Sequence, residues 1–195
     1  MKRKITLIFF RYLLIVLAGL SNFYIFYLIF TPLTLHPVSL VFSLFYEVEV
    51  VGNIILLNYL HQSLSIELIE ACIAGAAYYL LFALNMATPM PLKKRIYTLL
   101  FSFFAFFIVN LLRIFLLASI LLTYGQYIFD FTHILFWYIF STLLVALIWI
   151  VSVRAYEIKS IPAYTDIRFI WDLGKQAREH RKKAKTKKSN KRKKS

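Results

Sequence analysis

Long apolar runs separated by short clusters of charged or turn-forming residues organise the chain. Runs of about 20 or more mostly apolar residues, enough to cross a ~30 Å hydrocarbon layer, occupy residues 5–30, 69–88, 96–122 and 127–153. Thr88-Pro89-Met90-Pro91 closes the second run, Lys93-Lys94-Arg95 precedes the third, and Gly125 marks the turn into the fourth. The pattern predicts an all-α polytopic membrane protein with about four transmembrane helices.

Residues 31–68 fit no span. Val38 to Tyr46 is apolar, but at about 14 Å by helical rise it is too short to cross, and Glu47 and Glu49 follow it. A short interfacial helix on the extracytoplasmic side is expected there. Gly52-Asn53 then precede IILLNYL, and LSIELI lies just past His61. Two short, partly alternating runs around a polar turn suggest a small β-hairpin, with one irregular loop as the other reading. The second span is expected to open near Glu67 to Glu70, with Ser65 as N-cap and carboxylates in the first turn, where the helix dipole favours them.

Composition agrees with the pattern. The chain is 61% hydrophobic, 18% aromatic and 16% charged, more apolar than a soluble domain of this length can hide in one core. The first run is too long for a secretory signal and has no small-residue cleavage site, so it reads as a retained helix.

Charge adds an orientation. Positive residues cluster at Lys2, Arg3 and Lys4, at Lys93 to Arg95, and from Arg154 onward. By the positive-inside rule both termini are expected in the cytoplasm of a multi-pass cell-membrane protein, which requires an even number of crossings. Residues 175–195 hold twelve Lys or Arg and one Glu, eleven of the fourteen net positive charges. Such a stretch cannot bury enough surface to fold and is expected to be a disordered tail, joined by a juxtamembrane segment, 156–174, to a transmembrane domain, 1–155. Anionic lipid headgroups are its expected partner. Nucleic acid is disfavoured, because no aromatic follows Trp171 and no folded module accompanies the basic run.

Three polar residues interrupt the apolar background: Cys72, the only cysteine, Arg113 and His133. Each has an ordinary explanation, as a small buried hydrophobe, a snorkelling cation and an interfacial aromatic. Arginine is the least easily dismissed, because a charge inside a membrane span is costly. Depth brings the three together. Counted from the basic end of each span, Cys72 lies roughly 24 Å up, Arg113 roughly 27 Å and His133 roughly 32 Å. All three are therefore expected near the outer face. Asn110, one helical turn before Arg113, shares its face, and Glu70 is placed to face water or pair with Arg113. Small residues, Ala71 and Ala74 to Ala77, surround Cys72 and permit close helix approach. Scattered His36, His61, His133 and His180 present no ligand spacing, and no phosphate-binding glycine loop occurs, so neither metal nor cofactor is expected.

Taken in order, Glu70-Ala71-Cys72 opening one membrane helix, Asn110-x-x-Arg113 in the next and His133 starting the last resemble the exosortase/archaeosortase family over about residues 50–150. These are membrane-embedded, cysteine transpeptidase-like sorting enzymes, and a chain of 195 residues is similar to their small archaeal-type members. One departure is local: the family commonly has a small polar residue and then glycine after the cysteine, whereas this chain reads Cys72-Ile73-Ala74-Gly75. The resemblance implies a cysteine peptidase or transpeptidase acting on membrane-anchored proteins with a C-terminal sorting signal, with a lipid or other acceptor. It implies Cys72 as nucleophile, Arg113 as oxyanion stabiliser and His133 as acid and base, with Asn110 and Glu70 behind them. From the residues alone, a small transporter or channel subunit using an Arg113–Glu70 pair, or a membrane scaffold with a polybasic tail, stays open.

Overall fold

The computed structural model describes residues 2–20, 22–59, 62–158, 162, 164–173 and 175. The expected tail, apart from Lys175, and the tip of the expected hairpin at residues 60 and 61 lie outside them. Seven helices, α1 (Lys2–Leu20), α2 (Tyr24–Phe42), α3 (Glu70–Ile73), α4 (Gly75–Ala87), α5 (Leu92–Tyr124), α6 (Gln126–Leu135) and α7 (Ser141–Ala155), account for most of the described chain. A π-helical turn, Phe136–Phe140, joins α6 to α7, and an eighth helix, α8, covers residues 164–173. The fold is all-α apart from one small sheet. Four helical stretches are long and apolar enough to cross a membrane: Tyr24–Phe42, Glu70–Ala87, Leu92–Tyr124 and Gln126–Ala155.

The expected first span, 5–30, is two helices. Asn22 and Phe23 take left-handed backbone angles, φ 49° and 60°, which stop α1 and restart the chain as α2. Asparagine adopts that conformation more readily than most residues, so Asn22 is the local cause. α2 then runs through Pro32 and Pro37 to Phe42, so Val38 to Phe42 of the expected interfacial piece supply the last turn of a spanning-length helix and Ser43 to Tyr46 form the turn into the strand that follows. Proline removes a backbone donor, but neighbouring helices let a membrane helix tolerate it.

α1 and α2 rise in sequence along the descending α4. Ile15 of α1 accepts a hydrogen bond from Tyr79, Phe30 of α2 stacks on Tyr78, and Val38 reaches the sheet-side core with Ile55 and Leu68. α5 ascends and α6–α7 descends. The helices nearest the two termini consequently meet at one end of the bundle, where Arg11 forms an ion pair with Asp166.

A three-stranded antiparallel sheet, β1 (Glu47–Val51), β2 (Ile54–Tyr59) and β3 (Gln62–Glu67), closes the opposite end. The expected hairpin is β2–β3, and β1 joins it through the turn at Gly52, where φ is +61°. Alternate residues Ile55 and Leu57 are buried against Val38, Phe42, Ile114 and Ala118, as period-two side-chain alternation requires. A second core lies lower in the bundle around Phe26, Phe30, Tyr78, Leu81, Phe106 and Ile148. On α5 the polar residues Arg95, Thr98, Ser102, Asn110 and Arg113 face inward, whereas Leu100, Phe104, Ile108 and Leu112 are exposed. That inverted pattern suits an apolar surround, in which polar groups pair inside the bundle.

The expected helix over 69–88 is interrupted. Ser65 belongs to β3, and Ile69 is the N-cap of α3, with no side-chain capping bond. Ala74, at φ 58° and ψ 40°, separates α3 from α4. Gly75 comes next because Tyr27 of α2 presses on it: a Cβ there would stand 2.7 Å from the Tyr27 ring. Replacing Gly75 by Val should force Tyr27 aside and cost about 1–3 kcal/mol, read as a lower unfolding midpoint in detergent. Ala76→Val, on the neighbouring exposed position, should change stability by no more than about 0.5 kcal/mol. Equal midpoints for the two variants would refute the close packing.

Candidate functional site

The break at Ala74 builds the site. In an unbroken helix the carbonyls of Ala71 and Cys72 would accept from the N–H groups of residues 75 and 76. The left-handed turn takes them out of that ladder, and a buried carbonyl left without a donor costs about 1–3 kcal/mol. α5 provides the donors. Asn110 Nδ2 bonds the Cys72 carbonyl at 2.9 Å, and Arg113 Nη2 bonds those of Ala71 at 2.7 Å and Cys72 at 3.2 Å. The shared face expected for Asn110 and Arg113 is the face that grips the cysteine's backbone.

His133 arrives from the other side. It lies in the last turn of α6, its ring stacked on Phe129 with centroids 5.4 Å apart, and its Nε2 is 4.0 Å from Cys72 Sγ. In the Nδ1–H tautomer of the neutral imidazole the thiol donates to Nε2; after proton transfer the imidazolium donates to the thiolate. Nucleophile–base hydrogen bonds are often this long before substrate binds.

The π-helical turn brings in a residue that the sequence did not single out, Ser141. Eight residues separate it from His133, which in a continuous α-helix would rotate it about 80° away from the histidine's face. The wider turn over Phe136–Phe140 takes up part of that rotation, and π-turns often mark functional sites. Ser141 Oγ donates to the Phe136 carbonyl at 2.9 Å and accepts from Arg113 Nη1 at 2.9 Å. The polar pair Ser141-Thr142 inside an apolar span was the available signal.

Arg113 is 8% exposed and, among the described residues, has no carboxylate within ion-pair distance. Its charge is solvated by two carbonyls and one hydroxyl, while its Nε has no hydrogen-bond partner among the described residues. A cavity of about 90 Å³ between α5 and the π turn touches Arg113, Asn110 and Ser141. Glu70 stands apart from the cluster. It is exposed and, with Tyr27, lines both a cavity of about 350 Å³ that also touches Ala71, Trp137 and Ser141, and one of about 250 Å³ that also touches Asn22 and Asn53. The structure brings Cys72, Asn110, Arg113 and His133 into one cluster, and of the two positions open to Glu70, facing water or pairing with Arg113, it takes the exposed one, with no Glu70–Arg113 pair among the described ion pairs. Among the described residues, no three His, Cys, Asp or Glu side chains are placed to hold a metal ion.

Comparison with protein-family models, with curated proteins and with solved structures gives no match for the chain.

Removing one of the two donors to the Cys72 carbonyl tests the clamp. Asn110→Ala should lower stability by about 1–2 kcal/mol. Backbone hydrogen exchange over residues 70–75 should quicken at the same time. Unchanged exchange there would mean that the bond holds nothing in place.

Proposed function

We propose that the protein is a membrane cysteine peptidase or transpeptidase of the exosortase/archaeosortase kind. It cleaves C-terminal sorting signals of exported, membrane-anchored proteins near the outer membrane face and passes the acyl group to a lipid, another acceptor or water. The observation that carries this reading is the Cys72–His133 contact at 4.0 Å, made by a cysteine whose carbonyl is held by Asn110 and Arg113.

The proposed chemistry follows from the partners. Cys72 Sγ gives its proton to His133 Nε2 and attacks the scissile carbonyl, and the oxyanion that develops is stabilised by the positive charge and uncommitted N–H groups of Arg113. Collapse breaks the C–N bond as His133 returns the proton to the leaving amine, which leaves a Cys72 thioester. The acceptor then loses a proton to His133, attacks the thioester and frees the thiol. Asn110 and Ser141 act as positioning residues, through the Cys72 carbonyl and the guanidinium. On the charge distribution of the sequence, both termini are cytoplasmic and the cysteine end faces outward. The reading as an anion or proton carrier rests on a Glu70–Arg113 pair, and Arg113 bonds Ala71, Cys72 and Ser141 instead.

The assay is co-expression with a secreted protein that ends in a recognition motif, a transmembrane helix and a basic cluster, with processing followed by electrophoretic shift. Cys72→Ala and Cys72→Ser should be folded and inert, and His133→Ala should lose about 10²–10⁴-fold in rate. Arg113→Lys keeps the charge but not the planar fork, and should lose about 10²-fold or more. Processing that survives both cysteine variants would falsify the nucleophile assignment.

A further inference from the structure

At the end of the bundle opposite Cys72, α8 presents three distinct faces. At about 100° per residue, Asp166, Phe169 and Leu173 fall on one side, Thr165, Arg168 and Asp172 on a second, and Tyr164, Ile167, Ile170 and Trp171 on a third arc about 120° wide. The structure turns the first face to the bundle and leaves the other two exposed. Asp166 is 5% exposed and pairs with Arg11, whereas Tyr164, Ile167, Ile170 and Trp171 are 56%, 63%, 53% and 66% exposed. An amphipathic helix pinned to its own protein along one edge has its apolar arc turned sideways, away from both the bundle and the polar face. The charges nearest that arc on its polar side, Arg168 and Lys175, are basic, and Asp172 lies further round the polar face. Lys175 Nζ lies 5.9 Å from the Trp171 ring centroid, and residues 175–195 carry twelve Lys or Arg against one Glu.

We propose that α8 is an interfacial helix whose apolar arc inserts at the headgroup–acyl boundary of an anionic lipid layer beside the bundle, with the Arg11–Asp166 pair as its pin. Charge complementarity selects the occupant. A cationic segment adjoining an exposed aromatic and aliphatic face matches a negatively charged membrane surface, where such helices insert their apolar side and keep their charges among the headgroups. The pin also fixes height. Arg11 simultaneously donates to the Met86 carbonyl at 2.8 Å and to the Ala87 carbonyl at 3.2 Å, so α8 is held level with the end of α4.

The full-length chain carrying Trp137→Phe and Trp149→Phe leaves Trp171 as the only tryptophan. Reconstituted singly in nanodiscs, it should show acrylamide quenching at least about three-fold weaker in phosphatidylglycerol than in phosphatidylcholine, with the gap narrowing at high salt. Lipids brominated near the headgroup end of the acyl chain should quench it more than lipids brominated near the terminal methyl. Ile167→Glu combined with Ile170→Glu should abolish the protection while leaving the bundle folded. Equal accessibility in the two lipids, or protection that persists in the double-Glu variant, overturns the proposal. So does protection in vesicles that follows protein density and not lipid charge, which would assign the face to a second copy of the chain.

Discussion

Where α3 gives way to α4, the carbonyls of Ala71 and Cys72 leave the helical ladder inside a bundle of apolar side chains. The surrounding structure follows from that loss. Asn110 and Arg113 must face inward on α5 to supply donors, and Ser141 must turn toward Arg113 to occupy a further N–H. A left-handed alanine costs about 1–2 kcal/mol. It persists because three side-chain bonds hold the carbonyls it releases and because Tyr27 packs against the glycine that follows. The outcome is a cysteine whose backbone is fixed from one side by α5 while its thiol meets His133 of α6.

The other end of the same span meets the same requirement by the same means. Thr88-Pro89-Met90-Pro91 ends α4 and leaves its last carbonyls without helical donors. Arg95 bonds the carbonyls of Asn85 at 3.3 Å, Met86 at 3.1 Å and Thr88 at 3.0 Å, and Arg11 bonds those of Met86 and Ala87. Arginine suits both places because a planar group with several N–H donors can serve two or three carbonyls at once, whereas a lysine ammonium is a compact point charge. The span from Glu70 to Ala87 is thus clamped at each end by α5, with Arg113 above and Arg95 below. That double attachment makes α4–α5 the rigid pair against which α6, carrying His133, is placed.

Apolar run length made the later spans legible, because residues 96–122 and 127–153 lie within continuous apolar helix. Run length fails where backbone conformation overrides it. The break after Leu20 sits inside an apolar run, and its signal was only Asn22, one residue with a tolerance for left-handed angles. The first apolar run was bounded at residue 30, yet α2 continues through Pro32 and Pro37 to Phe42. β1 carries the alternation Glu47-Val48-Glu49-Val50 in its sequence, but only Val48 is half-buried and the rest of the strand is exposed, so its place is set by pairing with β2 and not by burial. In the site, depth counting brought Cys72, Arg113 and His133 to one level because helical rise is nearly constant. It carried no information on Ala74 or on the π turn, which depend on tertiary contacts, so Ser141 and the true partners of Arg113 were invisible to it.

The two ends of the bundle differ in how they treat buried arginine charge. At one end Asp166 pairs with Arg11 and its charge also acts on buried Arg95, which bonds the carbonyls of Asn85, Met86 and Thr88, so one carboxylate serves two arginines. Arg113 is comparably buried, yet the described residues give it carbonyl and hydroxyl dipoles and no carboxylate. Dipoles solvate a cation without neutralising it, and an uncancelled charge in an apolar setting is expensive to maintain. On the proposed reading the missing negative charge is transient: it is carried first by the Cys72 thiolate and then by the oxyanion, so the site reaches electrostatic balance only during the reaction. On the same reading, a permanent carboxylate beside Arg113 would complete the resting structure and remove the field that the proposed chemistry requires.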